Sequence, residues 1–343
     1  MSIQEILNQQ PKSSLMNTII LDSFVKANSV INNPNYKVIM CSISGGSDSD
    51  DMMDLIYRVD VNRKVTYVWF DTGLEYEATK KHIEYLENKY DIKILRERAI
   101  KPIPLACKEY GQPFLSKIVS TFIEQLQTAG FKWEDEDFDT LCKKYKNCMS
   151  GLSWWTNRYM PKDNNFGSFT IGRYKYLKEF IIANPPIFKI SSKCCNYAKK
   201  DVSTMLIDKY NIDLMIVGMR KGEGGQRAIA FDNCFSSNIH NSAQYRPLWW
   251  YSNTDKLEYE YVYNIVHSDC YNKYGFKRTG CCCCPYGWVH NQLFYELEQI
   301  KKYEPRLYKA VNHVFKDSYE YTQQYLQFRS YMKDKENGRK RLF

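Results

Sequence analysis

Serine, glycine and aspartate are concentrated in the segment SISGGSDSDD, residues 42–51. Its adjacent glycines, Gly45 and Gly46, have no Cβ, so backbone N–H groups can approach an anion closely there. Three serines add hydroxyl donors: Ser44, Ser47 and Ser49. A helix starting here would contribute unpaired N–H groups and a partial positive charge. The segment therefore indicates a phosphate-binding loop, with a simple turn and helix cap as the alternative.

Asp48, directly after the glycines and Ser47, does not suit a bare phosphate, because like charges repel. A carboxylate makes sense beside phosphates when Mg²⁺ bridges the two. The sequence therefore predicts Mg²⁺ as a cofactor at Asp48. No Gly-Lys-Ser/Thr follows the glycines, so this is not the Walker pattern.

Cysteines form the second group of residues that could do chemistry. Cys194 and Cys195 are adjacent, and Cys281 and Cys284 have the C-x-x-C spacing that chelates a metal or one edge of a cluster. An adjacent pair is strained around a single tetrahedral zinc but suits a cluster, whose irons are separate targets. Nearby lysines and arginine would stabilise thiolates. This leaves a [4Fe–4S] cluster, zinc, or catalytic or structural thiols as the readings.

The remaining cysteines carry weaker signals. Cys282 and Cys283 lie inside the C-x-x-C and could be spectators or substitutes. Six others lack ligand spacing and are expected to be small buried hydrophobic residues: Cys41, Cys107, Cys142, Cys148, Cys234 and Cys270.

Alternating strand and helix patterns must position these residues. Apolar runs of strand length are KVIMCSIS, VTYVWF, IKILRE and, much later, LMIVGM. Helical spacing of apolar residues separates them, notably over 75–90. This order predicts an α/β fold with a doubly wound, mainly parallel sheet, whose carboxyl edge binds ligands. The loop at 42–51 follows the first strand and therefore lies at that edge.

The predicted organisation has three parts: an N-terminal helical segment at 1–36, a nucleotide-binding domain at 37–290, and a helical extension with a basic tail at 291–343. Residues 105–190 break the alternation and are expected to form a helical insertion. A homodimer is compatible with this organisation.

Composition narrows the class of protein. Hydrophobic residues make up 44% and charged residues 25% of 343 residues, as in water-soluble globular proteins. With no apolar run long enough for a bilayer and no signal-peptide layout, we expect a cytoplasmic protein with no membrane partner. The net charge of +9 favours nucleotides or nucleic acids as partners.

The segment SGGSDS resembles the SGGxDS loop of PP-loop ATP pyrophosphatases, which activate substrates by adenylation. Some members carry lysine at the fourth position, where this chain has Ser47. The resemblance implies an adenine nucleotide, ATP, as ligand.

Five segments in order make the chain similar to the phosphoadenosine phosphosulfate (PAPS) reductase-like family, in its [4Fe–4S] branch with DNA phosphorothioation and sulfurtransferase members: SGGSDS, DTGLEY, KCCNYAKK, GMRKGEGGQRA and YGFKRTGCCCCPYGW. The resemblance implies that the four spaced cysteines are cluster ligands. It implies nucleotide-binding roles for Ser42, Ser44, Gly45, Gly46, Ser47, Asp48, Ser49, Asp71, Thr72, Gly73, Gly218, Arg220, Glu223 and Arg227. Asp48, Arg220 and Arg227 are the expected catalytic residues, because guanidinium forks suit phosphate oxygens.

Three functions compete. In the first, ATP adenylates a substrate, pyrophosphate leaves and sulfur displaces AMP, with nucleic acid as acceptor and the cluster or a partner protein as sulfur donor. In the second, the protein reduces PAPS or adenosine phosphosulfate, but those reductases carry a catalytic cysteine in a C-terminal tail and this sequence has none after Cys284. The third is a non-catalytic nucleotide-binding regulator. The intact loop favours the first.

Overall fold

The computed structural model describes residues 17–159, 167, 169–223, 231–239, 241–290 and 292–338. The chain forms two compact units, each built from two stretches of sequence. The first comprises Met1–Ile100 and Ala198–Cys282, and the second Lys101–Tyr197 and Cys283–Phe343. The predicted insertion at 105–190 thus belongs to the same unit as the predicted C-terminal extension.

A six-stranded sheet is the framework of the first unit, with strand order β3-β2-β1-β4-β6-β5. The strands are β1 Ile39–Ile43, β2 Val65–Asp71, β3 Ile94–Arg98, β4 Leu214–Val217, β5 Phe235–Ile239 and β6 Ser242–Tyr245. Every neighbouring pair is parallel except β5 with β6. The predicted α/β fold with a mainly parallel sheet is confirmed.

Helices account for most of the remaining described residues. The α-helices are α1 Thr18–Ile31, α2 Ser47–Val59, α3 Glu77–Tyr90, α4 Ile103–Tyr110, α5 Lys117–Thr128, α6 Phe138–Lys144, α7 Met149–Trp155, α8 Leu177–Ala183, α9 Lys193–Cys195, α10 Asp201–Tyr210, α11 Asn253–Tyr263, α12 Asp269–Asn272, α13 Gln292–Tyr303, α14 Pro305–Val314 and α15 Lys316–Glu336. Short 3₁₀ segments are Ile171–Arg173, Lys221–Glu223 and Pro285–His290, and Asn196–Lys200 is a π turn.

The sheet is buried on both faces. Successive residues of a strand point to opposite sides, so each strand contributes side chains to two cores. Within β1, Cys41 belongs to a large core shared with α1, α2, α3 and α11. Its neighbour Met40 belongs to a smaller core built with α10. Helices therefore cover both faces, which is why these strands read as continuous apolar runs rather than alternating ones.

The four predicted strands and the helix predicted at 75–90 are all present. The antiparallel pair β5–β6 was not predicted, because SAQY and FSSNI are short and polar. Trp154, Trp155 and Trp249 are fully buried and serve as core residues. No helix in the described part of the chain is long and apolar enough to cross a membrane.

Candidate nucleotide site

The glycine-rich loop connects β1 to α2 at the carboxyl edge of the sheet. Gly45 has φ +67°, and a Cβ built there would lie 2.8 Å from Thr79 Cγ2, so only glycine fits without displacement. Gly46 is the N-cap of α2 and supplies no side-chain cap. Within the first turn, the Ser49 N–H donates to the Gly46 carbonyl at 2.8 Å, whereas the Ser47 N–H takes its partner from another helix.

Hydroxyl groups hold the loop in shape. The Ser44 N–H donates to Ser49 Oγ at 2.9 Å, which closes the loop onto the first turn of α2. The Ser47 N–H donates to the Tyr271 hydroxyl at 3.0 Å. Tyr271 in turn shares a 3.0 Å hydrogen bond with Thr279.

A cavity of about 490 Å³ opens over this loop, wholly within the first unit. Eight predicted site residues line it: Ser44, Gly46, Ser47, Asp48, Ser49, Gly218, Arg220 and Glu223. Eight others also line it: Gly222, Asn253, Lys256, Leu257, Tyr271, Lys277, Arg278 and Thr279. Four basic side chains thus converge with a glycine loop and a helix N-terminus, an arrangement suited to a polyanion.

Asp48 has two cationic partners in this cavity. Its Oδ1 lies 2.8 Å from Arg220 Nε and 3.0 Å from Lys256 Nζ. Burial favours a higher pKa for Asp48, but the charges of Lys256 and Arg220 outweigh it and lower the pKa. With two cations already within 3.0 Å, Asp48 fits poorly as a magnesium ligand, and we assign it the positioning of these cations.

Arg220 is held for this role from several sides. It is buried, and its Nη1 donates to Asn253 Oδ1 at 3.1 Å. A Cβ on Gly218 would lie 3.1 Å from the Asp48 carbonyl oxygen, so a glycine lets β4 run close beneath the start of α2. The close approach at Gly218 thus brings Arg220, the other predicted residue of this segment, against the loop.

A second acidic group lies behind the loop. Ligand-type atoms of Asp51, Glu260 and His267 lie within 4.8 Å of one another. Lys256 Nζ is 2.9 Å from Glu260 Oε1 and 3.7 Å from Asp51 Oδ2, so a cation of the protein already lies against this group. We therefore assign no metal to this group.

The DTG segment, Asp71–Gly73, follows β2 at the same sheet edge, since β1 and β2 are parallel neighbours. None of its residues is among those lining the described cavity. Thr72 is buried, and its hydroxyl donates to Glu75, whose pKa burial raises to about 7. Gly73 N–H donates to Asp71 Oδ1 at 2.9 Å. The segment thus forms a self-contained turn, and its nucleotide role stays a prediction.

Three other predicted residues do not line the cavity or cannot be placed. Ser42 lies within β1, paired with Val68 and Val217. Gly45 shapes the loop from behind. Arg227 lies outside the described residues, so its role stays a prediction.

Three of the predicted cysteine ligands belong to the second unit, where α9 packs against α4. A hydrogen bond with Cys107 raises the pKa of Cys194, with Cys195 and Cys284 also near enough to affect it. Cys107, expected to be an ordinary buried hydrophobe, is thus part of a thiol group. The donor set fits a thiophilic metal or an iron–sulfur cluster.

The four consecutive cysteines differ in burial. Cys282 and Cys283 are fully buried, whereas Cys281 and Cys284 are half-buried. The Tyr319 hydroxyl donates to the Cys283 carbonyl at 2.6 Å, and the Cys282 N–H donates to the Leu74 carbonyl at 3.0 Å. Cys282 and Cys283 therefore have structural contacts, which leaves the C-x-x-C pair as the more accessible thiols.

Several residues of the cavity escaped sequence reasoning. Lys256 and Asn253 lie on α11, whose sequence carries only a weak helical pattern, and nothing in it points to a phosphate. Tyr271 sits on the short α12. Lys277 and Arg278 lie in the segment YGFKRTGCCCCPYGW but were not among the predicted nucleotide-binding residues. A signal existed for Lys256 alone, as a lysine four residues before an acidic partner, Glu260, on one helix face.

Comparison with known proteins yields one curated relative and several solved structures. An uncharacterized protein of Methanocaldococcus jannaschii is 39% identical over 77 residues, covering 22% of this chain and 16% of that protein. The chain therefore matches only a small part of that relative.

Two solved structures are similar at 12% identity. A PAPS reductase from Candida auris, a phosphate complex, has a TM-score of 0.40 and covers 76% of this chain and 87% of its own. The U34-tRNA thiolase NcsA from Methanococcus maripaludis, with its [4Fe–4S] cluster, has a TM-score of 0.36 and covers 91% and 79%. These superpositions are loose, so the family assignment depends on sequence.

The sequence model of the phosphoadenosine phosphosulfate reductase domain matches residues 38–114 and 167–286, more than half of the chain. The matched stretches contain the glycine-rich loop, the arginine at 220 and the C-x-x-C pair. The chain belongs to the phosphoadenosine phosphosulfate reductase family of PP-loop enzymes.

Proposed function

We propose that this protein binds MgATP in the cavity over the glycine-rich loop and transfers AMP to a substrate with release of pyrophosphate. Sulfur transfer to that activated substrate, with nucleic acid as the acceptor, is the second part of the proposal. The observation that carries the first part is the meeting of the loop, the N-terminus of α2 and four basic side chains on one cavity. Such a site suits the two adjacent phosphates of a leaving pyrophosphate.

The reaction begins when a substrate oxygen attacks the α-phosphorus of ATP. The bond from that phosphorus to the oxygen bridging to the β-phosphorus breaks, and pyrophosphate leaves with the bonding electrons. Charge grows on the leaving oxygens, where Arg220 and Lys256 can stabilise it. Asp48 fixes both cations, since its Oδ1 lies within 3.0 Å of each. Catalysis then consists of positioning and charge stabilisation.

In the second step a sulfur nucleophile attacks the activated substrate and AMP leaves. Cys194, Cys195 and Cys284, with Cys281 as the predicted fourth, are the residues that would hold a [4Fe–4S] cluster. When bound, such a cluster would supply an iron site for the sulfur. Zinc is the alternative occupant of the same thiols.

The test measures pyrophosphate release from MgATP, with and without RNA or DNA, by wild type and Asp48→Ala. We expect wild type to release pyrophosphate, with stimulation by the acceptor nucleic acid. We expect Asp48→Ala to be slower by about 100-fold, because loss of a preorganised charge contact has effects of this size. Lys26→Met is the matched control, since Lys26 lies outside the cavity and forms an exposed ion pair with Asp22.

Two outcomes would replace the proposal. Sulfite release from PAPS with a thiol reductant, and none of pyrophosphate from ATP, would assign the protein as a sulfonucleotide reductase, the activity for which the family is named. Nucleotide binding with neither reaction would assign it as a regulator. Equal pyrophosphate release by wild type and Asp48→Ala would remove Asp48 from the mechanism.

A further inference from the structure

The glycine-rich loop has no basic residue of its own between 42 and 51. A cation nevertheless contacts it: Lys256 Nζ donates to Ser47 Oγ at 2.7 Å. Lys256 comes from α11, more than 200 residues later in the chain, and lines the cavity. The positive charge beside the loop thus comes from α11, a helix outside the sequence motif of the loop.

Three acceptors surround the ammonium group, which has three N–H donors. Asp48 Oδ1 lies at 3.0 Å, Glu260 Oε1 at 2.9 Å and Ser47 Oγ at 2.7 Å. The first two are carboxylates, whereas the third is a neutral hydroxyl. An anionic oxygen would therefore replace Ser47 in preference to the others, and Ser47 could then donate its own proton to the same ligand.

The surroundings keep Lys256 charged. Asp51 is fully buried directly behind it, and neither of its oxygens has a hydrogen-bond partner among the described residues. Burial raises the pKa of Asp51 well above its ordinary value, and the charge of Lys256, whose Nζ lies 3.7 Å from Asp51 Oδ2, opposes this rise. Burial opposes the charged form of Lys256, but Asp51 and Asp48 raise its pKa above the ordinary value.

We propose that Lys256 is the phosphate-binding cation of the glycine-rich loop, exchanging the Ser47 hydroxyl for an oxygen of the pyrophosphate portion of the nucleotide. This inference rests on the proposed function, because it takes a di- or triphosphate as the ligand. It adds a binding residue that the loop motif does not contain. Asp51 and Glu260 are its positioning residues, which hold the ammonium group beside the loop.

The experiment measures binding of three probes by calorimetry: inorganic pyrophosphate, ATP and adenosine. The variants are Lys256→Gln, the double variant Lys256→Gln/Ser47→Lys, and the control Lys26→Met. We expect Lys256→Gln to bind pyrophosphate and ATP about 10- to 100-fold more weakly, the effect of removing one charged hydrogen bond. Adenosine affinity should not change. The double variant, which places an ammonium on the loop itself, should recover most of the lost affinity.

The outcomes separate this inference from the function on which it rests. If wild type binds neither pyrophosphate nor ATP, the proposed function fails. If wild type binds both and Lys256→Gln binds them equally well, only the role of Lys256 fails. An equal loss for adenosine and pyrophosphate would mean that Lys256 merely supports the fold, which also overturns the inference.

A measurement on wild type guards against a Lys256→Gln variant that does not fold. Acetylation of lysines by acetic anhydride is followed by mass spectrometry with and without pyrophosphate. We expect pyrophosphate to protect Lys256 and to leave Lys26 unchanged. Bound pyrophosphate with no change at Lys256 would contradict the proposal.

Discussion

Gly45 is the residue at which backbone and packing requirements coincide. Its φ of +67° is a left-handed conformation, and the space for a Cβ is occupied by the methyl group of Thr79. Gly130 also has a positive φ, +71°, but nothing lies within 4 Å of the position of its Cβ. Comparing alanine substitutions at the two glycines therefore separates two costs. One is the strain of a positive φ, which both share, and the other is the collision of a Cβ with Thr79, which only Gly45 has.

We expect Gly45→Ala to lower the free energy of unfolding by about 2–4 kcal/mol, because strain and overpacking add. Gly130→Ala should lower it by only about 1 kcal/mol, from backbone strain alone. Urea denaturation of both variants measures these changes. Thr79→Ser, which removes the obstructing methyl group, should partly restore the Gly45→Ala variant; equal losses at positions 45 and 130 would refute the collision.

At the residue scale, the sequence was informative wherever function depends on neighbours in the chain. Glycines, serines and Asp48 of the loop were predicted because they lie together in one segment, and the structure brings Ser44 and Ser47 into the cavity. Lys256 was not predicted, because its approach to the loop depends on how α11 packs against α2. Long-range packing leaves no trace in the spacing of residues along the chain.

At the scale of elements, α2 is unusual in burying acidic residues and in receiving their partners from other helices. Its buried or nearly buried aspartates are Asp48, Asp50, Asp51 and Asp54. Tyr259 of α11 and Tyr90 of α3 donate to Asp54 at 2.7 and 2.8 Å. The acidic run that reads as a helix cap in the sequence thus joins α2 to its neighbours.

His267 makes this joining dependent on pH. It lies 2.8 Å from Asp50 of α2 and 2.8 Å from Glu260 of α11. Burial acts to lower its pKa, but hydrogen bonds with both carboxylates, and the nearby charge of Asp50, raise it from 6.5 to about 9. The folded protein therefore retains a proton that the unfolded chain releases. The stabilisation is complete below pH 6.5 and is lost as the pH rises through about 9.

Unfolding free energies of wild type and His267→Asn, measured from pH 6 to pH 10, test this dependence. We expect wild type to lose stability across the interval from about 6.5 to 9, and His267→Asn to lose much less. The exposed His313 provides the control, and His313→Asn should follow wild type. Parallel curves for wild type and His267→Asn would show that the imidazole does not couple to folding.

At the scale of the whole molecule, each unit is assembled from stretches far apart in sequence. Strands β1 to β3 and the later β4 belong to one parallel sheet, as the alternation of strand and helix patterns predicted. The pairing of residues 101–197 with 283–343 in the second unit was not predicted. Helix-to-helix packing between distant segments depends on side-chain shape, which periodicity does not report.

The thiol group of the second unit draws on both of its stretches, Cys107 and Cys194 from the first and Cys284 from the second. A metal bound to these thiols would therefore link the two stretches and stabilise the unit, since ligands preorganised only in the folded state couple binding to folding. Chelation of the metal should accordingly lower the melting temperature.

We expect anaerobically purified wild type to be brown and to contain iron and acid-labile sulfide. Cys284→Ser should lose most of both, because a cluster missing one thiolate is poorly held. Cys142→Ser is the control, since Cys142 lies on α6 and has no ligand spacing. A colourless wild type with one zinc per chain would assign the site to zinc, and equal iron in both variants would remove Cys284 from it.

The contact between the Ser47 amide and the Tyr271 hydroxyl has a consequence for which ligands can enter. The phenol already satisfies this amide within the protein, so under the proposed function little ordering of the loop would remain to be done when a nucleotide binds. At this amide, an incoming molecule gains binding free energy only if its oxygen is a better hydrogen-bond acceptor than the Tyr271 phenol oxygen. A neutral hydroxyl offers almost no such advantage, whereas an anionic oxygen offers a charge-assisted one. Under the proposed function, Tyr271 would therefore favour a phosphate oxygen over a neutral hydroxyl as the partner of this amide.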